Sequence, residues 1–278
     1  MRNRSFLALL VVSFLIDLSP LAADSRIHRG IDVFTTPADG KTYYDFAQNP
    51  IPAGFFCEDS KVFTGRVEFK GLPLATGASG QLWGADTVIE RLDDAVFDAK
   101  GTARTRIRFR ALSLVSIAPI KTACGAFHVY VSLSGKQRVT PMSLYRTQEN
   151  GGNFVAPLAV DARLAFIPVK PAKNKSTRQL TLTGSFTFPG SPIPWSLRDN
   201  PKVKRIGSAV VDTNGDLTPD TLLPGTTNFS PGQSPERLFN GLDANCGACA
   251  ELECHASDGE EHCYYPPLPP ECPYRVYC

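Results

Sequence analysis

The 278-residue chain has little that reads as helix. Apolar residues seldom recur at the three- and four-residue spacing of an amphipathic helix, and only Thr87 to Phe97 has mixed character. This argues against helical bundles and against α/β folds, in which helices alternate with strands. No apolar run approaches the roughly 20 residues that a helix needs to cross a bilayer. The strongest internal stretch, Ala111 to Ile120, is interrupted by Ser113, Ser116 and Pro119. There are only four histidines, no HExxH and no Gly-rich phosphate loop. The nearest string to a GxSxG nucleophile elbow, Gly77 to Gln81, fails at its last position. The neighbouring acids Glu58/Asp59 and Asp93/Asp94 would point to opposite faces of a strand, so neither makes the facing pair of a glycosidase. A triad assembled from distant residues remains open to a secreted hydrolase or carbohydrate-active enzyme, with His128 or Asp94 as its first candidates. The balance of the sequence favours a chain that binds or builds rather than catalyses.

What is present begins with an export signal. Arg2 and Arg4 precede an eleven-residue apolar run, Phe6 to Ile16, broken only by Ser13. Pro20 and the small pair Ala22 and Ala23 follow, so cleavage is expected after Ala23. The chain is accordingly read as secreted, periplasmic or held at the cell surface, with no transmembrane span once the signal (1–23) is removed. Outside the cytosol thiols oxidise, and the eight cysteines are expected to pair. Cys57 and Cys124 stand alone in the body, which makes their bond the simplest arrangement. Cys246, Cys249, Cys254, Cys263, Cys272 and Cys278 crowd the last 33 residues and allow fifteen connectivities.

Strand signals are abundant. Thr102 to Arg110 alternates strictly, with Ala103, Thr105, Ile107 and Phe109 on one face and Arg104, Arg106, Arg108 and Arg110 on the other. Phe127 to Leu133 repeats the pattern, and Val62 to Phe69, Val139 to Tyr145, Val160 to Val169 and Leu180 to Phe188 read as further strands. Short alternating strands with Gly and Pro between them predict an all-β protein: an antiparallel β-sandwich of one or two modules, followed by a small disulfide-rich C-terminal tail. The first module is expected over 24–149. The second, or a continuation of the same sandwich, covers 150–240 beyond the Asn150 to Asn153 boundary. The acidic tail is 241–278, where seven acids face a single base, Arg275. Disulfides are one reading of that tail. A zinc- or redox-active one is the other, since Cys246 and Cys249 have C-x2-C spacing and His255 and His262 lie nearby.

Two further segments carry chemistry. The four arginines of the alternating strand form a ladder about 6.6–6.8 Å in step. Such a row could hold an anionic surface or polymer, or be neutralised across the strand by Glu90, Asp93, Asp94 and Asp98. Nucleic acid is not an expected partner. Asp212, Asn214, Asp216 and Asp220 place oxygen side chains at positions one, three, five and nine of a tight loop. Three carboxylates so close repel one another without a cation between them. The segment resembles the short DxNGDGxPD calcium loops of FG-GAP propeller repeats and, more loosely, those of dockerin and thrombospondin type 3 repeats. That resemblance implies Asp212, Asn214, Asp216, Asp220 and the Thr218 carbonyl as ligands of a structural calcium ion. Leu217 departs from it where those loops carry Gly, and Leu223 at the twelfth position excludes an EF-hand. The other reading of the same residues is a plain hairpin turning at Asn214 and Gly215.

The overall expectation is an exported, non-catalytic binding or structural protein, stabilised by calcium. Excess chelator is therefore expected to lower the melting midpoint by roughly 5–10 °C, reversibly on adding calcium. An unmoved midpoint, with no ion bound in native mass spectrometry, removes calcium from this loop.

Overall fold

The computed structural model describes residues 25–74, 82–156, 158–170, 180–188, 192–197, 210–211, 215 and 221–235, together with short strands of the tail. Strands dominate these residues, Pro235 alone being helical, and the protein is all-β. The strands of the N-terminal part are β1 (Arg26–Ile27), β2 (Gly30–Phe34), β3 (Tyr43–Asp45), β4 (Arg66–Gly71), β5 (Thr87–Arg91), β6 (Ala95–Val96), β7 (Thr102–Ser116), β8 (Ile120–Thr122), β9 (Gly125–Leu133) and β10 (Thr140–Gln148). There follow β11 (Gly151–Val155), β12 (Leu158–Pro168), β13 (Leu180–Phe188), β14 (Ile193–Leu197), β15 (Val210–Val211), β16 (Thr221–Leu222) and β17 (Thr227–Pro231). The tail contributes β18 (Cys249–Ala250), β19 (Glu253–Ser257), β20 (Glu260–Tyr264) and β21 (Val276–Tyr277).

Seven strands close on themselves. Hydrogen-bonded neighbours run β7, β10, β11, β14, β17, β2, β5 and return to β7. A closed ring is a barrel, where the alternation had suggested a sandwich. The reason is that alternation fixes only which face is dry; whether a sheet stacks on a partner or curls onto itself depends on which strands meet at its edges. An odd ring cannot be antiparallel throughout, since each antiparallel neighbour reverses direction and seven reversals do not restore it. The mismatch is absorbed at one place, the parallel pair β14 and β17.

Strand β7 belongs to two sheets. Residues 102–112 form a stave of the barrel, pairing with β10 and β5. A bulge opposite Val88 and Ile89 makes the register skip Arg110, with Val88 opposite Ala111 and Ile89 opposite Phe109. Bulges bend a strand and strengthen its twist, and beyond this one β7 leaves the ring. Its last residues pair instead with β4 on one side and β9 on the other. Burial follows the switch. Ala103, Thr105, Ile107 and Phe109 are buried with exposed or half-buried arginines between them, whereas Leu112 to Ser116 are all buried because both faces are covered. The second sheet continues from β9 to β12 and β13, with β3 on β4 and β8 on β9. Its inner face carries an aromatic cluster in which Phe56 meets Phe63 and Phe166 edge-on and Phe127 at a tilt. Phe55 and Phe56 arrive on the loop between β3 and β4. The Cys57–Cys124 disulfide pins that loop to the β8–β9 turn, with Cα atoms 6.0 Å apart.

The barrel interior mixes aromatic rings with a buried ion pair. Phe229 lies parallel to Trp195 with centroids 4.9 Å apart, and the Arg91 guanidinium sits 4.8 Å from the Phe229 ring centre. Arg91 Nε donates to Asp32 Oδ1 at 2.8 Å, and its Nη1 donates to the His28 carbonyl. Both side chains are almost wholly buried. Such a pair adds little net stability, because desolvation offsets the attraction, but breaking it strands a charge. Asp32→Leu alone should therefore lower unfolding stability by about 3–5 kcal/mol in urea titrations. The double change Asp32→Leu with Arg91→Met should cost less than either single substitution; a strictly additive double mutant would contradict the pairing.

Candidate functional site

Register sorts the inward side chains into layers. Phe34, Thr87, Leu112 and Thr227 share one; Asp32, Ile89, Phe109 and Phe229 the next; Gly30, Arg91, Ile107 and Pro231 the third. The aromatic stack and the ion pair fill the second and third layers. Above them the barrel opens into a cavity of about 320 Å³. Phe34, Ile89, Phe109, Leu112, Phe154 and Ile193 line it, so its walls come from β2, β5, β7, β11 and β14. The rim is the segment after β2, with Thr36, Asp39, Lys41 and Thr42, facing Pro192 and Gly225. Asp39 and Lys41 pair with each other at 3.3 Å, which leaves the rim near neutral. The Lys41 backbone N–H also donates to Asp39 and, with the ammonium, holds that carboxyl below its ordinary range.

Beneath the rim lies Asp86, fully buried. Its Oδ1 accepts from the Thr36 hydroxyl at 2.9 Å and the Thr87 hydroxyl at 2.6 Å, and its Oδ2 accepts from the Thr36 backbone N–H. All three donors are neutral. Gly71 makes room for the carboxylate, because a Cβ there would lie 1.7 Å from Oδ2. Asp86 therefore ties the rim to the start of β5. Burial pushes its pKa up to about 7, although the three hydrogen bonds favour the charged form. Burial likewise raises Asp32, to about 6, with the Arg91 charge opposing the rise.

The residues singled out by sequence fall in several places. Asp212, Asn214, Asp216, Thr218 and Asp220 lie outside the described residues. The strands around them do not: β15 and β16 pair Val211 with Thr221, and Gly215 has φ +82°. Nine residues, 212–220, lie between that pair. The arginine ladder is on the barrel exterior. Arg106 forks onto Asp93 at 2.7 and 2.8 Å, Arg108 reaches Glu90 at 2.8 Å, Arg110 lies 3.7 Å from Glu90, and Arg104 is exposed. Asp94 takes the Arg29 backbone N–H, His28 and Arg26. His128 lies on the second sheet, edge-on to Tyr130, with Nδ1 buried and unpartnered. In the tail, Cys254 stands opposite Cys263 and His255 opposite His262. Of the other tail cysteines, Cys249 lies on β18, while Cys246, Cys272 and Cys278 fall outside the described residues. Among the described residues, no three His, Cys, Asp or Glu side chains gather in a metal-binding group.

Sequence reasoning did not single out the cavity. Phe109 was legible as an inward residue, but nothing in the alternation marks that face as hollow. Asp86 and Thr87 carried no signal beyond a polar pair at the head of a strand. No family profile, no curated protein and no solved structure matches the chain.

A carboxyl whose folded pKa exceeds its unfolded value near 3.8 holds its proton more tightly in the folded chain. Its stabilising contribution is complete below that value and is lost as pH rises through about 7 for Asp86. Relative to Asp86→Asn, the wild-type melting midpoint is expected to decline between about pH 4 and 7.5. Parallel curves for the two proteins would show that Asp86 contributes no such linkage.

Proposed function

We propose that the chain is an exported, non-catalytic binding protein whose barrel mouth takes a small, largely apolar ligand. The observation that carries this reading is the cavity above the Trp195–Phe229 layer, with apolar walls and a few threonines at its neck. Ligand sites favour concave apolar pockets with few polar groups, and the mouths of β-barrels are among their preferred places. At about 320 Å³ the volume equals roughly ten water molecules at ~30 Å³ each. That suits a compound of two or three small rings or a medium-length chain.

Export is supported by the basic, apolar, small-residue order of the N-terminus and by the Cys57–Cys124 bond, which belongs in an oxidising compartment. The register that sets Cys254 across from Cys263 supports the disulfide reading of the tail. The nine-residue span closed by β15 and β16 supports the calcium staple. In the second sheet, the aromatic loop laid on one face supports a local two-layer, sandwich-like packing beside the barrel.

The test is titration with N-phenyl-1-naphthylamine, a neutral apolar fluorophore. At about −0.3 kcal/mol per non-hydrogen atom, its affinity should be about 0.2 mM or tighter. Thr42→Trp, which fills the mouth from the rim, should weaken binding about tenfold or more. Non-saturable fluorescence, or equal affinity in the variant, would refute the site.

A further inference from the structure

We infer that the barrel mouth selects apolar molecules carrying a hydrogen-bond donor, an alcohol or an amine, over ketones and carboxylates of the same size. The inference rests on the ligand-binding reading of this cavity and specifies its chemistry. A hydroxyl has one proton to give and two lone pairs to accept with. Thr36 and Thr87 both line the cavity, and both give their proton to Asp86 Oδ1. The Thr36 backbone N–H is given to Oδ2. Whatever polar capacity these two residues retain toward a ligand is therefore acceptance alone. A ligand donor completes them; a ligand carbonyl meets lone pairs with lone pairs.

The neighbourhood adds to this selection. Asp86 is held by three neutral donors and is fully buried, so a ligand donor or ammonium group relieves its shortage of positive potential. A ligand carboxylate brings a second negative charge to the far side of the two threonines that bond Asp86. Among the residues that line the cavity, the groups able to favour such an anion are at the rim. There Lys41 is already paired with Asp39 and is 86% exposed, and Thr42 is half-buried within reach of solvent. Water competes at both positions.

The experiment is displacement of bound N-phenyl-1-naphthylamine at pH 8.5, where Asp86 is ionised, by 1-octanol, octylamine, 2-octanone and octanoate. Octanol and octylamine are expected to displace the probe at concentrations about tenfold or more below those of the ketone and carboxylate. Octanol against octanone is the decisive pair, since both are neutral and similar in size. In Thr36→Val/Thr87→Val, which keeps the shape and removes both acceptors, the two should fall within about threefold of each other. Asp86→Asn supplies a second route: its amide donates, so a threonine proton is released and octanone should improve. Equal displacement by octanol and octanone in the wild-type protein overturns the donor rule but leaves the cavity as a site. A preference unchanged in both variants also overturns it, by assigning the selection to other atoms. Failure of the probe to bind at all overturns the cavity reading and the donor rule together.

Discussion

A ring of seven hydrogen-bonded strands must contain a parallel pair, and the chain meets that requirement between β14 and β17. Parallel neighbours cannot be joined by a tight turn, because the chain has to travel back to its starting end. The crossover here runs from Leu197 to Thr227 and includes the hairpin of β15 and β16. Leu222, on that hairpin, is buried against Ile31, Val33 and Val88 on the outside of the barrel, and its N–H donates to the Trp83 carbonyl. The acidic loop of the sequence is thus part of the connection that parity imposes. A cation staple at that point would brace the one segment the barrel needs in order to close.

Closure also dictates the electrostatics of the interior. Short staves bring their backbones close, and the inward positions are filled partly by polar residues. Asp32 and Arg91 neutralise one another through a single hydrogen bond of 2.8 Å in the second and third layers. Asp86 has no such partner and relies on two threonine hydroxyls and a backbone N–H. The two acids are therefore alike in burial and different in consequence. One is a fixed element of the core; the other takes the hydroxyl protons of two threonines that line the open space.

The long strands were legible in the sequence and the ring was not. Thr102 to Arg110 and Phe127 to Leu133 alternate because one face is dry and the other wet, and both appear as strands with the expected faces. Leu180 to Phe188 matches in its bounds, and Val139 to Tyr145 and Val160 to Val169 shift by a few residues. Val62 to Phe69 begins later, at Arg66, because Phe63 bridges back to Ile51. Four staves gave no warning. Gly30 to Phe34 carries a buried aspartate, Gly151 to Val155 opens on two glycines, Ile193 to Leu197 contains a proline, and Thr227 to Pro231 is mostly polar. Each departs from the strand pattern at a place where a partner elsewhere in the chain makes it tolerable. Arg91 answers Asp32, and at Gly152 a Cβ would lie 1.9 Å from the Tyr145 carbonyl. The candidate site shared that fate, since three of its five walls, β2, β11 and β14, come from these strands.

Leu112 stands where β7 leaves the barrel. It pairs with Thr87 as a stave and lines the cavity, while the next residue, Ser113, already pairs with Ser132 in the second sheet. One wall of the cavity is therefore continuous, through a single peptide bond, with a sheet anchored by aromatic packing and a sulfur bridge. The bore of the barrel is calibrated from outside it, as the gap of a vice is set by its frame rather than by its jaws.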